Sequence, residues 1–146
     1  MSYWDTSCLV KLYSPEPDSA AFVAYVASSH RCVTSDLAVL EFWATVRRKE
    51  AEGALGPGEA QIVLTAFQND VQFGVISVVE SDAAVRAEYF HVVERCLSQS
   101  PPIFIRTNDA LHLAAARCTS EKEIVATDKR LREAAVVLGF ALFPLP

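Results

Sequence analysis

Along this chain, short apolar or β-branched runs alternate with longer segments of helical spacing, and polar caps, glycines or prolines mark the changes of rhythm. The first unit is Tyr3-Trp4, then Asp5, then an apolar, helix-like segment from Cys8 to Tyr13 opened by Thr6 and Ser7. Thr6 or Ser7 is expected to cap that helix by accepting from its first free N–H groups, the other reading being that Asp5 is itself the turn or cap residue. Pro15 and Pro17 break it, because each lacks an N–H and restricts the residue before it. A second helix begins at Asp18 or Ser19, with Phe22, Val23 and Val26 as its buried stripe, and closes at Ser28, Ser29 and a solvated His30. Residues 31–35 read as a strand. Residues 36–52 read as a helix capped by Ser35 or Asp36, basic toward its end and stopped at Gly53.

After a turn rich in glycine comes a helix over 59–69 and a β-branched strand within 73–80. Ser81 or Asp82 caps a helix over 83–97, on which His91 is surface or filler, and the two prolines at 101 and 102 end the segment. Thr107 or Asn108 opens a helix that is apolar from Ala110 to Ala116, as a buried central helix would be. Residues 123–127 form a strand, 129–138 a helix stopped by Gly139, and 140–145 a last strand whose Pro144 suits a sheet edge. Strands alternating with helices predict an α/β protein with a mostly parallel sheet of about five strands and helices on both faces. No linker divides it, so residues 1–146 form one domain.

Four acids stand beside apolar sequence in this pattern. Asp5 and Asp128 each follow a strand and precede a helix, and right-handed crossovers put both at the carboxyl edge of the sheet. If the first and fourth strands are neighbours, the two can share an ion. Glu41 lies four residues after Leu37, beside Leu40, and three before Ala44, so it points with an apolar stripe and needs a partner there. Asp109 occupies the first turn of its helix, where the dipole favours an anion. His112, three residues on, is read as a packed, hydrogen-bonded histidine rather than a ligand. Carboxylates that converge cannot all stay ionised without a cation, and hard oxygen donors select Mg²⁺ or Mn²⁺. Such a site suits phosphodiester hydrolysis, in which a metal-activated water replaces a protein nucleophile. The chain has no G-x-S-x-G elbow, Walker A loop or G-x-G-x-x-G.

Composition narrows the picture a little further. Hydrophobic residues make up 51% and charged ones 21% of the chain, a globular profile. No apolar run reaches membrane-spanning length and no signal peptide is evident, so a cytoplasmic, membrane-free protein is expected. Cys8, Cys32, Cys96 and Cys118 are scattered without zinc spacing and are read as reduced. A net charge of −5 argues against coating nucleic acid by global charge but not against an acidic metal nuclease. Lys11, Arg47, Arg48, Arg106 and Lys129 lie near the acidic motifs and are the candidates to meet phosphates. Trp4 and Trp43 are expected in the core.

The stretches "DTSCLVKLYSPEP", "TSDLAVLEFWATVRR", "NDALHLAAA" and "VATDKRLREAAVVLG" resemble, in that order and spacing, the acidic motifs of PIN-domain proteins. The resemblance is to VapC-type toxin endoribonucleases of type II toxin–antitoxin systems. It implies a three-layer α/β/α fold and Asp5, Glu41, Asp109 and Asp128 as catalytic metal ligands, with Thr6 and Thr127 as supporting hydroxyls. It also implies Mg²⁺- or Mn²⁺-dependent cleavage of RNA, homodimerisation, and inhibition by a cognate antitoxin offering an Arg or Lys to the acids. Cys8 departs from the small apolar residue usual there. The alternatives are a PIN-like module that binds RNA or a partner without cutting, and another Mg²⁺-dependent α/β enzyme. The latter would want a second acid near Asp5, where Thr6 and Ser7 stand.

Overall fold

The computed structural model describes residues 2–29 and 31–145, so the expectation for His30 lies outside the described residues. The elements run β1 (Ser2–Trp4), α1 (Thr6–Tyr13), α2 (Ser19–Ser29), β2 (Cys32–Ser35), α3 (Asp36–Ala51), α4 (Glu59–Gln72), β3 (Ile76–Val79), α5 (Ala83–Leu97), α6 (Thr107–Arg117), β4 (Glu123–Val125), α7 (Lys129–Val137) and β5 (Ala141–Phe143). The sheet has the order β3-β2-β1-β4-β5 and every pairing is parallel. Its strands are only three or four residues long, so each offers about one side chain per face to either layer.

Alternation along those strands builds the two cores. Tyr3, Val33 and Ile124 face α5, α6 and α7, where they meet Val92, Leu113 and Leu131. Trp4, Cys32 and Val125 face the opposite way, onto Leu9 of α1, Phe22 of α2, Phe42 of α3 and Leu64 of α4. This is the expected three-layer α/β/α arrangement. Aromatic packing is densest in the second core, where Phe42 stacks on Phe67 at 3.9 Å and Tyr13 meets both rings edge-on.

Most helix ends follow local chemistry. Ser35, Asp82 and Asp128 accept from the first-turn N–H groups of Ala38, Val85 and Leu131, and Gly53 and Gly139 take positive φ just past α3 and α7. At α1 the structure selects the second of the two readings: Asp5 itself, not Thr6 or Ser7, caps the helix, because its carboxylate accepts from the Ser7 N–H. The start of α6 differs from expectation. Helix α6 has no side-chain cap at all, since Thr107 and Asn108 already lie inside the helix and Asn108 is engaged elsewhere. Asp36 is the first residue of α3, and its carboxylate ties the helix start to the Ser81 N–H and hydroxyl.

Two burial expectations fail for one reason: the helices are apolar on more than one face. Val23 is 48% exposed, because α2 reaches Trp4 and Phe143 through Phe22 and Tyr25 instead. Trp43 is 51% exposed, with Arg47 over its ring, because the core stripe of α3 is Ala38, Phe42 and Val46. Trp4, as expected, is fully buried. All four cysteines are free. Among the described residues no helix is long and apolar enough to cross a membrane.

Candidate functional site

The sheet order places β1 beside β4, with later strands running outward on either side. That is the point where an open α/β sheet leaves a crevice at its carboxyl edge. Asp5 directly follows β1 and Asp128 lies three residues past the end of β4, each as the cap of the next helix, and the Asp5 N–H donates to the Val125 carbonyl at 3.0 Å, which knits the strand ends together. Each carboxylate is fixed by its own helix. Asp5 Oδ2 accepts from the Ser7 N–H at 3.2 Å and hydroxyl at 2.5 Å, and Asp128 Oδ1 accepts from the Leu131 N–H at 2.9 Å. Glu41 enters from α3 and Asp109 from the first turn of α6. All four acids line one cleft of about 660 Å³, shared with Thr6, Thr45, Arg48, Arg106, Asn108 and His112.

Within the cleft the acids have distinct partners. Glu41 Oε2 accepts from Thr6 Oγ1 at 2.6 Å and His112 Nε2 at 2.8 Å, while Oε1 accepts from Asn108 Nδ2 at 2.8 Å. Burial alone would raise the Glu41 pKa, but these three donors hold the carboxyl below the ordinary carboxylate range. Arg106 joins the other half of the site: its Nε donates to Asp109 Oδ2 at 2.7 Å and its terminal nitrogen to Asp128 Oδ2 at 2.9 Å. Asp109 and Asp128 in turn raise the Arg106 pKa, Asp109 the more strongly. Asp5 Oδ1 and Asp109 Oδ1 accept no hydrogen bond from the described residues, although their side chains are only 13% and 12% exposed.

The sequence model of the PIN domain matches residues 2–137. The chain belongs to the PIN-domain family. Its solved structural neighbours include FitAcB from Neisseria gonorrhoeae, with a TM-score of 0.70 at 21% identity, covering 98% of this chain and 96% of that one. VapC20 of Mycobacterium tuberculosis, described as a sarcin-ricin loop cleaving toxin, has a TM-score of 0.66 at 18% identity, covering 92% and 95%. VapBC2 from Rickettsia felis, bound to a DNA fragment from their promoter, has 0.63 at 16% identity, covering 97% of each chain. At these identities the likeness speaks for the fold. No curated protein sequence matches the chain significantly.

In this PIN domain the four acids chosen from sequence share one cleft, yet they do not form a ready cage. Among the described residues no three acid, histidine or cysteine side chains cluster closely enough to hold a metal ion. The reason is visible in the partners: Glu41 is drawn to Thr6, His112 and Asn108, and Asp109 and Asp128 are drawn to Arg106. The donor chemistry nevertheless fits a hard divalent cation. The lining carries four carboxylates against two guanidiniums, Arg48 and Arg106, and two sheltered carboxylate oxygens have no donor among the described residues.

Thr6 stands in the cleft as the resemblance implies, whereas Thr127 lies beside the Cys8 thiol and does not line it. Of the basic candidates, Arg48 and Arg106 line the cleft. Lys11 does not: it is 9% exposed, with its ammonium on Asp18 and Glu16. Arg47 is engaged by Gln61 and Glu50, and Lys129 is solvated. Sequence reasoning missed that Asn108 holds Glu41 and that Arg106 spans two acids. Both residues flank Asp109 within three positions, but their partners are 67 and 22 residues away.

Proposed function

We propose that this PIN domain is a Mg²⁺- or Mn²⁺-dependent endoribonuclease that acts as the toxin of a toxin–antitoxin pair. The observation that carries the reading is the arrival of Asp5, Glu41, Asp109 and Asp128, from four separate elements, in one cleft at the sheet's switch point. Asp5 and Asp109, each with a sheltered oxygen that has no donor among the described residues, would hold the cation together with Glu41 and Asp128. Bound there, it would supply Lewis-acid activation of water and neutralise charge growing on the leaving oxygen. The chain's own groups do the positioning. Thr6, His112 and Asn108 keep Glu41 ionised and oriented. Arg106 and Arg48 offer guanidiniums to the RNA phosphates from the cleft wall.

The toxin part of the reading is supported by relatives solved as FitAcB and VapBC2 and by one described as a toxin. An antitoxin would inhibit by bringing a basic side chain to the acids in competition with metal. Homodimerisation and a cytoplasmic location belong to the same reading. One observation favours the alternative of a binding module that does not cut: Arg106 already neutralises Asp109 and Asp128. The deciding experiment is incubation of purified protein with mixed cellular RNA in Mg²⁺, Mn²⁺ or EDTA, beside an Asp109→Asn variant. Discrete cuts lost in EDTA and in the variant are expected. Folded, metal-binding protein that leaves RNA intact would favour the binding module.

A further inference from the structure

Buried beneath the cleft is a chain of side chains that the reading above uses only at its last link. Tyr3 precedes Asp5 by two residues, so its side chain leaves the strand on the face toward α6. There its hydroxyl meets His112 Nδ1 at 2.9 Å, with the two rings edge to face. His112 lies one turn after Asp109 on α6, is 2% exposed, and carries its other nitrogen to Glu41 Oε2 at 2.8 Å. Thr6 Oγ1, which donates to that same oxygen, lies 3.4 Å from His112 Nε2. One imidazole therefore ties β1 and α1 to the acid of α3.

The partners assign the tautomer. A carboxylate oxygen only accepts, so Nε2 must carry the proton that points at Glu41. In the neutral imidazole Nδ1 is then the acceptor for the Tyr3 hydroxyl, with the Ser35 hydroxyl 3.5 Å from the same nitrogen. The result is an asymmetric carboxylate. Among the described residues Oε2 takes two donors and is saturated toward the protein, whereas Oε1 takes only Asn108 and keeps acceptor capacity at the cleft.

We propose that Tyr3 and His112 are positioning residues that lock Glu41 by Oε2 and so present Oε1 as its metal-facing oxygen. This inference rests on the metal-nuclease reading. A buried imidazole needs both nitrogens engaged wherever it sits; what singles out His112 is that one of its partners is a cleft acid, so the hydrogen bonds run from a central strand to Glu41. The D-x-x-H spacing of Asp109 and His112 thus serves orientation of Glu41, not coordination by the imidazole.

The test uses the full chain and three variants, Tyr3→Phe, His112→Gln and His112→Leu, each checked by thermal melting in EDTA. Mn²⁺ affinity is read by titration calorimetry, and kcat and KM for RNA are read separately. The expected result is Mn²⁺ binding weakened roughly 10-fold or more in His112→Leu, the usual scale for loss of a group that orients a ligand. Tyr3→Phe, which does not itself line the cleft and acts one hydrogen bond behind it, should weaken it less but measurably, with kcat lowered and KM for RNA unchanged. His112→Gln, which can return an N–H toward Glu41, should recover part of the loss. In ¹⁵N spectra of the metal-free native protein His112 should show the Nε2–H tautomer. Native-like Mn²⁺ affinity in folded Tyr3→Phe and His112→Leu, or an Nδ1–H tautomer, would overturn the inference. Failure of the native protein itself to bind Mn²⁺ would instead overturn the metal-nuclease reading beneath it.

Discussion

Replacing Glu41 with glutamine separates two views of the cleft, because they predict opposite signs for stability. If the lining acids mainly repel one another, removing one charge should stabilise the metal-free protein. The hydrogen bonds argue otherwise. Glu41 takes donors from Thr6, His112 and Asn108 at 2.6–2.8 Å, all directed at a carboxylate. A hydrogen bond to a charged group is worth about 1.5–3 kcal/mol against about 0.5–1.5 for a neutral one, so roughly 1 kcal/mol is lost at each. Glutamine also turns an NH₂ toward one of the three donors. The side chain is 28% exposed, and Asn108 can turn toward water, which limits that penalty. The net expectation is destabilisation of about 3 kcal/mol, or a Tm lower by roughly 6–12 °C for a chain of this size. Scanning calorimetry in EDTA at neutral pH and low salt measures it. The pH dependence supplies a second check. Because the folded Glu41 pKa is depressed, its contribution is present above the unfolded value of about 4.3 and is lost as pH falls through the lower folded value. The gap between native and variant should therefore close on acidification. An unchanged or raised Tm for Glu41→Gln at neutral pH would refute the argument.

Other consequences are simpler. Arg48→Ala should weaken RNA binding and flatten its salt dependence by about 0.7 in log–log slope. Lys11→Ala should leave both unchanged, because the Lys11 ammonium is held by Asp18 and Glu16; filter binding across a salt series distinguishes them. Asp36→Asn should make the protein less sensitive to acid. Burial raises the Asp36 pKa, but the Ser81 hydroxyl and N–H bring it below the ordinary value. Its stabilisation is therefore present above about pH 3.9 and lost as pH falls through the folded value, and melts from pH 6 to pH 2 would reveal an equal loss in both proteins if this is wrong. Phe42→Ala removes a fully buried ring stacked on Phe67 and should cost about 3–5 kcal/mol in urea unfolding, whereas Trp43→Ala, half-exposed, should cost far less.

How much of this was legible in the chain depended on how local each cause is. The strand–helix alternation could be read because its punctuation lies within a few residues: Ser35, Asp82 and Asp128 cap from their own side chains, and Gly53 and Gly139 stop helices by their own φ. The phase of α3 was less legible. Leu37, Leu40 and Trp43 compete with Ala38, Phe42 and Val46 for the core, and only packing against α1 and α4 selects the second set. Glu41 therefore sits at the border of the buried stripe rather than within it, and that border faces the cleft. Val23 was misread on the same ground. The placement of β1 beside β4 was a condition in the sequence argument, because strand order is a non-local choice; the sheet meets it.

The same distinction divides the four acids. Asp5 and Asp128 are held by N–H groups two or three residues ahead, so forming the strand and the first helical turn is enough to aim them. Glu41 and Asp109 sit on helices and depend on side-chain partners. Those of Glu41 come from α1 and α6, and that of Asp109 from Arg106, which must also reach Asp128. Half of the site is thus fixed by local backbone geometry, and half by packing α3 and α6 across the sheet edge. A substitution that loosens that packing without touching an acid should disorder Glu41 first and leave Asp5 in place, while Asp109 keeps its Arg106 partner three residues earlier. The helix-borne acids are therefore the natural point at which a partner could bias the cleft, because their orientation is set by side chains that can exchange hydrogen bonds while the strand ends stay fixed.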